Sequence, residues 1–135
     1  MPLEVQVVSP ERILWSGDAD MVITRTIGDG EIAFLNGHAP FVGALGIGVT
    51  RIRPPDGEDI AVAVHGGFVE VSDNHVSILS DVAELPADID VNRAEQARAR
   101  AEEALRQEND AEGEAALRRA HVRLEAAGGS GTSSR

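Results

Sequence analysis

Apolar and polar residues alternate with a period of two through much of the first 85 residues. Residues 3–8 and 21–27 show the alternation most clearly, and the second segment is rich in β-branched residues. Such a pattern predicts short strands that each bury one face. Further strands are predicted at residues 31–35, 46–53, 60–64, 68–71 and 75–79.

Turn signals separate these segments. They include Ser16-Gly17-Asp18, Gly28-Asp29-Gly30, Asn36-Gly37, Pro54-Pro55-Asp56-Gly57 and Gly66-Gly67. No helical pattern intervenes between the predicted strands, which argues against helical crossovers between parallel strands. Many short strands with glycine-rich turns indicate a β-sandwich or a flattened barrel.

After Pro86 the apolar spacing changes to three and four residues, which is typical of helices. One stripe comprises Ala94, Ala97, Ala101, Ala104 and Leu105, and a second comprises Ala116, Leu117, Ala120 and Leu124. Asp90 is the predicted N-cap of the first helix, and Asn109 with Glu112 is a predicted capping box for the second. The short break between the stripes predicts an antiparallel hairpin.

Alanine dominates both stripes, and it buries much less apolar area than leucine does. We therefore expect a hairpin that docks weakly on the sandwich, so that another protein surface can compete for it. The predicted organisation is a β-sandwich domain at 1–86, a helical hairpin at 87–127 and a Gly/Ser-rich tail at 128–135 that is expected to be disordered.

Composition narrows the function class. The net charge is −11, and residues 1–85 alone carry 13 acidic residues against 4 arginines. This acidic part repels nucleic acid and anionic lipid, so neither nucleic-acid binding nor membrane-surface binding by charge alone is expected. The chain has no cysteine and no lysine, which excludes disulfides, thiolate nucleophiles, P-loops and Schiff-base chemistry. No apolar run approaches the roughly 18–20 residues of a membrane span, so direct membrane insertion is not expected.

Four blocks of sequence carry a resemblance to a known family. They are Val8-Ser9-Pro10-Glu11-Arg12 with Leu14-Trp15-Ser16-Gly17, then Gly28-Asp29-Gly30-Glu31-Ile32 leading to Asn36-Gly37-His38-Ala39-Pro40-Phe41, then Gly66-Gly67-Phe68-Val69-Glu70-Val71, and finally Ile89-Asp90-Val91-Asn92-Arg93-Ala94. In these blocks and their order the chain resembles the epsilon subunits of bacterial F-type ATP synthases, over residues 4–125.

The resemblance implies a ten-stranded N-terminal β-sandwich followed by a C-terminal antiparallel two-helix hairpin. It also implies a non-catalytic rotor subunit of the central stalk, which couples the gamma subunit to the c-ring and inhibits ATP hydrolysis through its C-terminal helices. The implied partners are the gamma subunit, the c-ring and, when the hairpin is extended, the alpha/beta hexamer. The implied location is peripheral, on the cytoplasmic face of the bacterial plasma membrane, and no cofactor is required.

Glu31 and His38 match family positions that face the c-ring and gamma. A carboxylate and an imidazole there are suited to hydrogen bonds with polar loop groups. The alternative reading is that His38-Ala39-Pro40 only shapes a turn.

A second candidate site is a regulatory ATP site on the hairpin. In some members of the family, the Ile/Leu-Asp-x-x-Arg-Ala motif and arginines of the second helix bind ATP. The corresponding residues in this sequence are Asp90, Arg93, Arg100, Arg119 and Arg123. Guanidinium groups on two facing helices are suited to clamp a triphosphate. The alternative is that Asp90 only caps its helix and the arginines pair with neighbouring glutamates.

Two other function classes remain as hypotheses: a free-standing nucleotide-sensing module that uses the arginines of the hairpin, and an enzyme on a small barrel. The enzyme hypothesis lacks any nucleophile, base or metal constellation. His65, His75 and His121 show no metal-ligand spacing and are interpreted as solvated or turn-packing histidines.

Overall fold

The computed structural model describes residues 2–128. Within that range a run of strands is followed by one 3₁₀ turn and two helices. The strands are β1 (Leu3–Val8), β2 (Ile13–Ala19), β3 (Met21–Thr26), β4 (Gly30–Leu35), β5 (Phe41–Arg53), β6 (Ile60–Ser72), β7 (His75–Leu79) and β8 (Ala83–Glu84). The 3₁₀ turn is Pro86–Asp88, and the helices are α1 (Val91–Gln107) and α2 (Ala111–Ala127). The predicted tail lies outside the described residues except for Gly128.

The strands form one sheet in the order β2-β1-β7-β6-β5-β3-β4, with β8 paired to β6. β1 runs parallel to β7, while its other neighbour, β2, is antiparallel. The sheet folds around a single apolar core, which confirms the predicted β-sandwich followed by a helical hairpin. Residues 2–128 form eight strands rather than ten. β5 and β6 are each 13 residues long, and counting the two halves of each separately gives ten.

Alternation along the strands builds the core. In β1, Leu3, Val5 and Val7 are buried, whereas Glu4 and Gln6 are exposed. Each fully buried aliphatic side chain contributes about 1.5–3 kcal/mol. The largest buried side chains of the core are Phe34, Leu3, Ile52 and Ile78.

Two predicted turns are wrong. Gly66 and Gly67 do not end a strand but lie within β6, where both have positive φ angles of 92° and 122°. A Cβ on Gly67 would lie 2.1 Å from the carbonyl oxygen of Leu79, so only glycine fits there. Gly17, predicted to lie in a turn, pairs with Val5 inside β2, and the Trp15 ring lies over it.

The two helices have aspartate N-caps. Asp90 Oδ1 accepts a hydrogen bond from the Arg93 backbone N–H at 3.1 Å, as predicted. The second N-cap is Asp110, whose Oδ1 accepts from the Gly113 N–H at 2.8 Å. The prediction of Asn109 as this cap is therefore wrong by one residue, because both residue types are suited to cap a helix.

The hairpin docks on the outer face of β5 and β6 through α2. We call this contact the docking patch; its buried residues are Val49, Ala61, Ala63, Val122 and Ala126. An ion pair beside it joins Arg51 Nη2 to Glu125 Oε2 at 3.0 Å. Three of the five patch residues are alanine, and the partly buried Ile47 and Ile89 pack against them, so the apolar contact is of limited size, as the sequence predicts.

Candidate functional site

A cleft of about 320 Å³ opens between the start of α1 and the end of the sandwich. We call it the arginine cleft; its polar lining residues are Glu84, Asp88, Asp90, Arg93, Arg100 and Arg123. Arg93 and Arg100 lie two helical turns apart on one face of α1. Arg123 reaches the same cleft from α2. The fold therefore brings four of the five predicted nucleotide residues to one place.

Arg119 lies one turn before Arg123 on α2 and lines a neighbouring hollow between the two helices. Arg100 and Arg123 line that hollow as well, so it adjoins the arginine cleft. Arg119 Nη2 donates to Glu112 Oε2 at 3.0 Å. For Arg119 the predicted pairing with a neighbouring glutamate is therefore present.

The cleft carries three guanidinium groups and three carboxylates. Among residues 2–128, neither the Arg93 nor the Arg100 guanidinium has an ion pair or hydrogen bond, and both arginines are exposed. One carboxylate oxygen of Asp90 accepts the hydrogen bond that caps α1. The two unpaired guanidinium groups are thus the groups available to an anionic ligand.

Glu84 is a functional candidate that the sequence reasoning missed. Its Oε1 accepts from Arg123 Nε at 2.8 Å and lies 3.1 Å from His65 Nε2. The contact links β8, β6 and α2 across 39 residues of sequence between Glu84 and Arg123. No local motif signals such a pair, because the fold alone brings the two residues together.

His65 is also placed differently from its prediction. Its side chain is only 4% exposed, because α2 packs on β6. Burial, the largest cause, lowers the pKa of His65, and the positive charge of Arg123 lowers it further, against the hydrogen bond to Glu84. The interpretation of His65 as a solvated or turn-packing histidine is wrong, because its buried side chain lies within β6.

Glu31 and His38 do not form one cluster. Glu31 stands near the start of β4, whereas His38 follows its end, so about 13 Å of strand separates Glu31 from the last residue of β4. Glu31 lines a shallow cleft with Arg25 and Arg118. The His38 ring packs edge-on against Phe34, with centroids 4.9 Å apart, and its Nδ1 lies 2.7 Å from its neighbour's carbonyl oxygen, that of Ala39. His38 therefore shapes its turn in this conformation.

Within residues 2–128 there is no cluster of three or more histidine or acidic side chains placed to hold a metal ion. None of the helices in the described part has the length and hydropathy needed to cross a membrane.

The fold and the arginine cleft define a class of protein with two parts, a small β-sandwich and a helical hairpin that docks on it and carries arginines. The chain belongs to the delta/epsilon chain family of ATP synthases. The family described as "ATP synthase, Delta/Epsilon chain, beta-sandwich domain" matches residues 2–86, and the one described as "ATP synthase, Delta/Epsilon chain, long alpha-helix domain" matches residues 87–128.

Curated relatives support this assignment over nearly the whole chain. The ATP synthase epsilon chain of Streptomyces coelicolor is 46% identical over 127 residues, which cover 94% of this chain and 96% of the relative. The epsilon chain of Halalkalibacterium halodurans is 44% identical, covering 93% and 97%. Since epsilon chains are non-catalytic subunits, the expectation that this chain is not an enzyme follows from its family.

A solved structure shows the same architecture. A chain of the Euglena gracilis mitochondrial ATP synthase, determined as an assembly of OSCP, F1 and the c-ring, superposes with a TM-score of 0.77 at 26% identity. The match covers 93% of this chain and 81% of the Euglena chain. Both parts of the fold therefore have a counterpart in an ATP synthase assembly.

Proposed function

We propose that this chain is the rotor subunit that couples the gamma subunit to the c-ring and inhibits ATP hydrolysis through its C-terminal helices. Its assembly would be peripheral, on the cytoplasmic face of the bacterial plasma membrane. The epsilon-chain relatives and the Euglena assembly with F1 and the c-ring support the rotor position. The proposed regulation rests on the small size of the docking patch between the sandwich and the helical hairpin.

The patch favours reversible docking. Val122 and Val49 are its largest buried side chains, and the other three residues are alanine. Two ion pairs, Arg51 with Glu125 and Arg123 with Glu84, join the hairpin to the sandwich, and surface ion pairs typically contribute about 0–1 kcal/mol each. In contrast, each helix keeps its own N-cap when the hairpin leaves. Release therefore breaks few contacts, and the alpha/beta hexamer can compete for the hairpin.

Removal of residues 88–135 from the intact ATP synthase tests the regulation. Assembly should be retained and ATP hydrolysis should rise, because the inhibitory helices are gone. A second variant separates inhibition by an extended hairpin from loss of the subunit. Cysteines at Ala61 and Ala126, across the docking patch, should raise hydrolysis when they are oxidised and restore inhibition when they are reduced. Equal hydrolysis in all of these forms contradicts the regulatory role.

Glu31 and His38 are the proposed contacts with the c-ring and gamma. Since they lie at opposite ends of β4, we expect them to touch different surfaces, and each is best replaced alone as well as together. Glu31→Gln with His38→Ala should weaken retention of this chain during purification of the complex. Unchanged retention of the double variant removes this pair from the interface.

A second candidate function is nucleotide sensing. We propose that Arg93, Arg100 and Arg123 bind the triphosphate of ATP in the arginine cleft, with Arg119 at its edge and Asp90 holding the start of α1. The convergence of three guanidinium groups from two helices supports this proposal. The bound nucleotide would bridge α1 and α2 close to the sandwich and so favour the docked hairpin.

Calorimetry of the full chain with ATP tests the sensor. Heat of binding should appear in the wild type and fall in Arg100→Gln. Arg98→Gln is the matched control, because Arg98 lies on α1 but pairs with Glu95 at 2.6 Å and does not line the cleft. Absence of heat at about millimolar ATP refutes the site. Co-purification with gamma and the c-ring at fixed stoichiometry distinguishes a rotor subunit from a free sensor.

A further inference from the structure

His65 lies at the contact between the two parts of the fold. The odd-numbered residues Ala61, Ala63 and His65 share one face of β6, and α2 packs on that face. The His65 side chain is almost completely buried there. Release of the hairpin would therefore expose His65 to water.

The imidazole is part of a three-residue junction, which we call the His65 junction. His65 Nε2 donates to Glu84 Oε1 at 3.1 Å, and Arg123 Nε donates to the same oxygen at 2.8 Å. Glu84 thus joins β6 to α2. The other ring nitrogen of His65, Nδ1, is buried and has no hydrogen-bond partner among residues 2–128.

Neutral His65 suits this junction, and charged His65 does not. The neutral ring needs only one N–H, which Glu84 accepts. Protonation would add an N–H at Nδ1, where the described residues offer no acceptor, and a buried donor without an acceptor is unfavourable. The added charge would also lie near the cations of α2.

Charged groups around His65 come from several elements. Glu84 is the only carboxylate in contact among the described residues, and it already accepts from Arg123. Arg119 and Arg123 of α2 oppose a positive imidazole. On β5 the cross-strand neighbour is Ile47, which is apolar. The arginine cleft beyond Glu84 adds Asp88, Asp90, Arg93 and Arg100.

We propose that the His65 junction is a proton-operated latch, in which protonation of His65 releases the helical hairpin from the sandwich. This inference rests on the proposed ability of the hairpin to leave the sandwich, and it adds the proton as a ligand that decides when it leaves. The junction shares Glu84 and Arg123 with the arginine cleft, but protonation of His65 needs no bound nucleotide. Acid therefore acts on docking directly.

The sign follows from linkage. In the docked state, burial and Arg123 hold the pKa of His65 below its ordinary value of 6.5. Release removes both effects, so the released form binds the proton more tightly. Docking is then insensitive to pH above the ordinary value and weakens as pH falls below it. One proton changes the docking equilibrium by at most about tenfold per pH unit.

Energy transfer between two dyes on the isolated full chain measures docking. The sequence has no cysteine, so cysteines introduced at Glu58 of the sandwich and Glu108 of the hairpin turn are labelled alone. Both positions are exposed. From about pH 8 to about pH 5.5, the wild type should lose docking by several fold.

Two variants isolate His65 from the other histidines. His65→Gln keeps a side-chain N–H for Glu84 but cannot titrate, so its docking should not respond to acid. His121→Gln removes the exposed imidazole on α2 and should keep the wild-type response. Constant docking of the wild type over this range, or an unchanged acid response in His65→Gln, overturns the latch.

A measurement without substitution at His65 provides a second test. Proton NMR of the full chain follows the His65 ring through titration, and its midpoint should lie below 6.5 while the hairpin is docked. A midpoint at or above that value overturns the proposal. The hydrolysis test of the truncated and disulfide-locked complexes is independent. Inhibition that is present but indifferent to pH disproves the latch alone, whereas equal hydrolysis in those forms disproves the regulatory function.

Discussion

Replacement of Val122 by alanine should release the hairpin without damaging either part of the fold. Val122 lies on α2 in the docking patch and is 6% exposed. Its neighbours in that patch are Val49, Ala61 and Ala63 of the sandwich and Ala126 of its own helix. The lost contact is therefore mainly between the hairpin and the sandwich.

The expected effect can be worked from the buried area. Val122→Ala removes two buried methyl groups, each worth about 0.8 kcal/mol, so docking should weaken by about 1.6 kcal/mol. This corresponds to a docking constant about 15-fold smaller. Alanine is the better helix former by up to about 0.7 kcal/mol, so α2 itself should not be weakened. The substitution thus separates docking from helix stability.

Dye-labelled chains and amide hydrogen exchange provide the assay. Energy transfer between positions 58 and 108 should fall in Val122→Ala, and amides of β6 beneath α2 should exchange faster, while total helicity stays the same or rises. Val91→Ala is the matched control. It removes the same two methyl groups, but Val91 lies outside the docking patch, at the start of α1, and is 46% exposed. Unchanged docking in Val122→Ala would refute the reasoning that the small apolar patch holds the hairpin.

Three further predictions concern stability. Gly67→Ala should lower the free energy of unfolding by at least about 3 kcal/mol in urea titration, because its Cβ would overlap the Leu79 carbonyl at a positive φ. Gly57→Ala should be nearly neutral, because a Cβ there would meet Pro54 only at the ordinary van der Waals distance of 3.8 Å. Asp110→Ala should lower helix stability, measured by thermal circular dichroism, by about 1 kcal/mol, and Asn109→Ala should have little effect; the reverse order would contradict the observed cap. The hydrogen bond to the Asp73 carbonyl, followed by the charge of Glu4, raises the pKa of His75. The stabilising contribution of His75 should therefore be complete below the ordinary pKa of 6.5 and disappear as pH rises through the higher pKa of the folded state. An NMR titration midpoint of His75 at or below 6.5 would contradict this.

Local patterns in the sequence were sufficient for most of the fold. The alternation in residues 3–8 and 75–79 predicted β1 and β7 with the observed limits. Spacing of three and four predicted both helices, and Asp90 was recognised as a cap. These predictions succeeded because each depends on residues that are near one another in sequence.

Predictions that needed long-range information were less successful. Gly66-Gly67 has the composition of a turn, but pairing with β5 on one side and with β7 and β8 on the other keeps β6 continuous. The family resemblance predicted four polar residues of the arginine cleft, and helical spacing places two of them, Arg93 and Arg100, on one face of α1. Glu84 and His65 were missed because their role depends on α2 lying over β6.

The parallel pairing of β1 with β7 has a consequence for how the chain is made. Val5 pairs with Val76, which lies 71 positions later in the sequence. During synthesis β1 cannot pair with β7 until nearly the whole sandwich has left the ribosome. Such distant pairing slows folding, whereas the two helices contact each other locally and form quickly. The nascent sandwich therefore passes through a stage in which one edge of β1 is open to other chains, and β7 closes it shortly before the hairpin is synthesised.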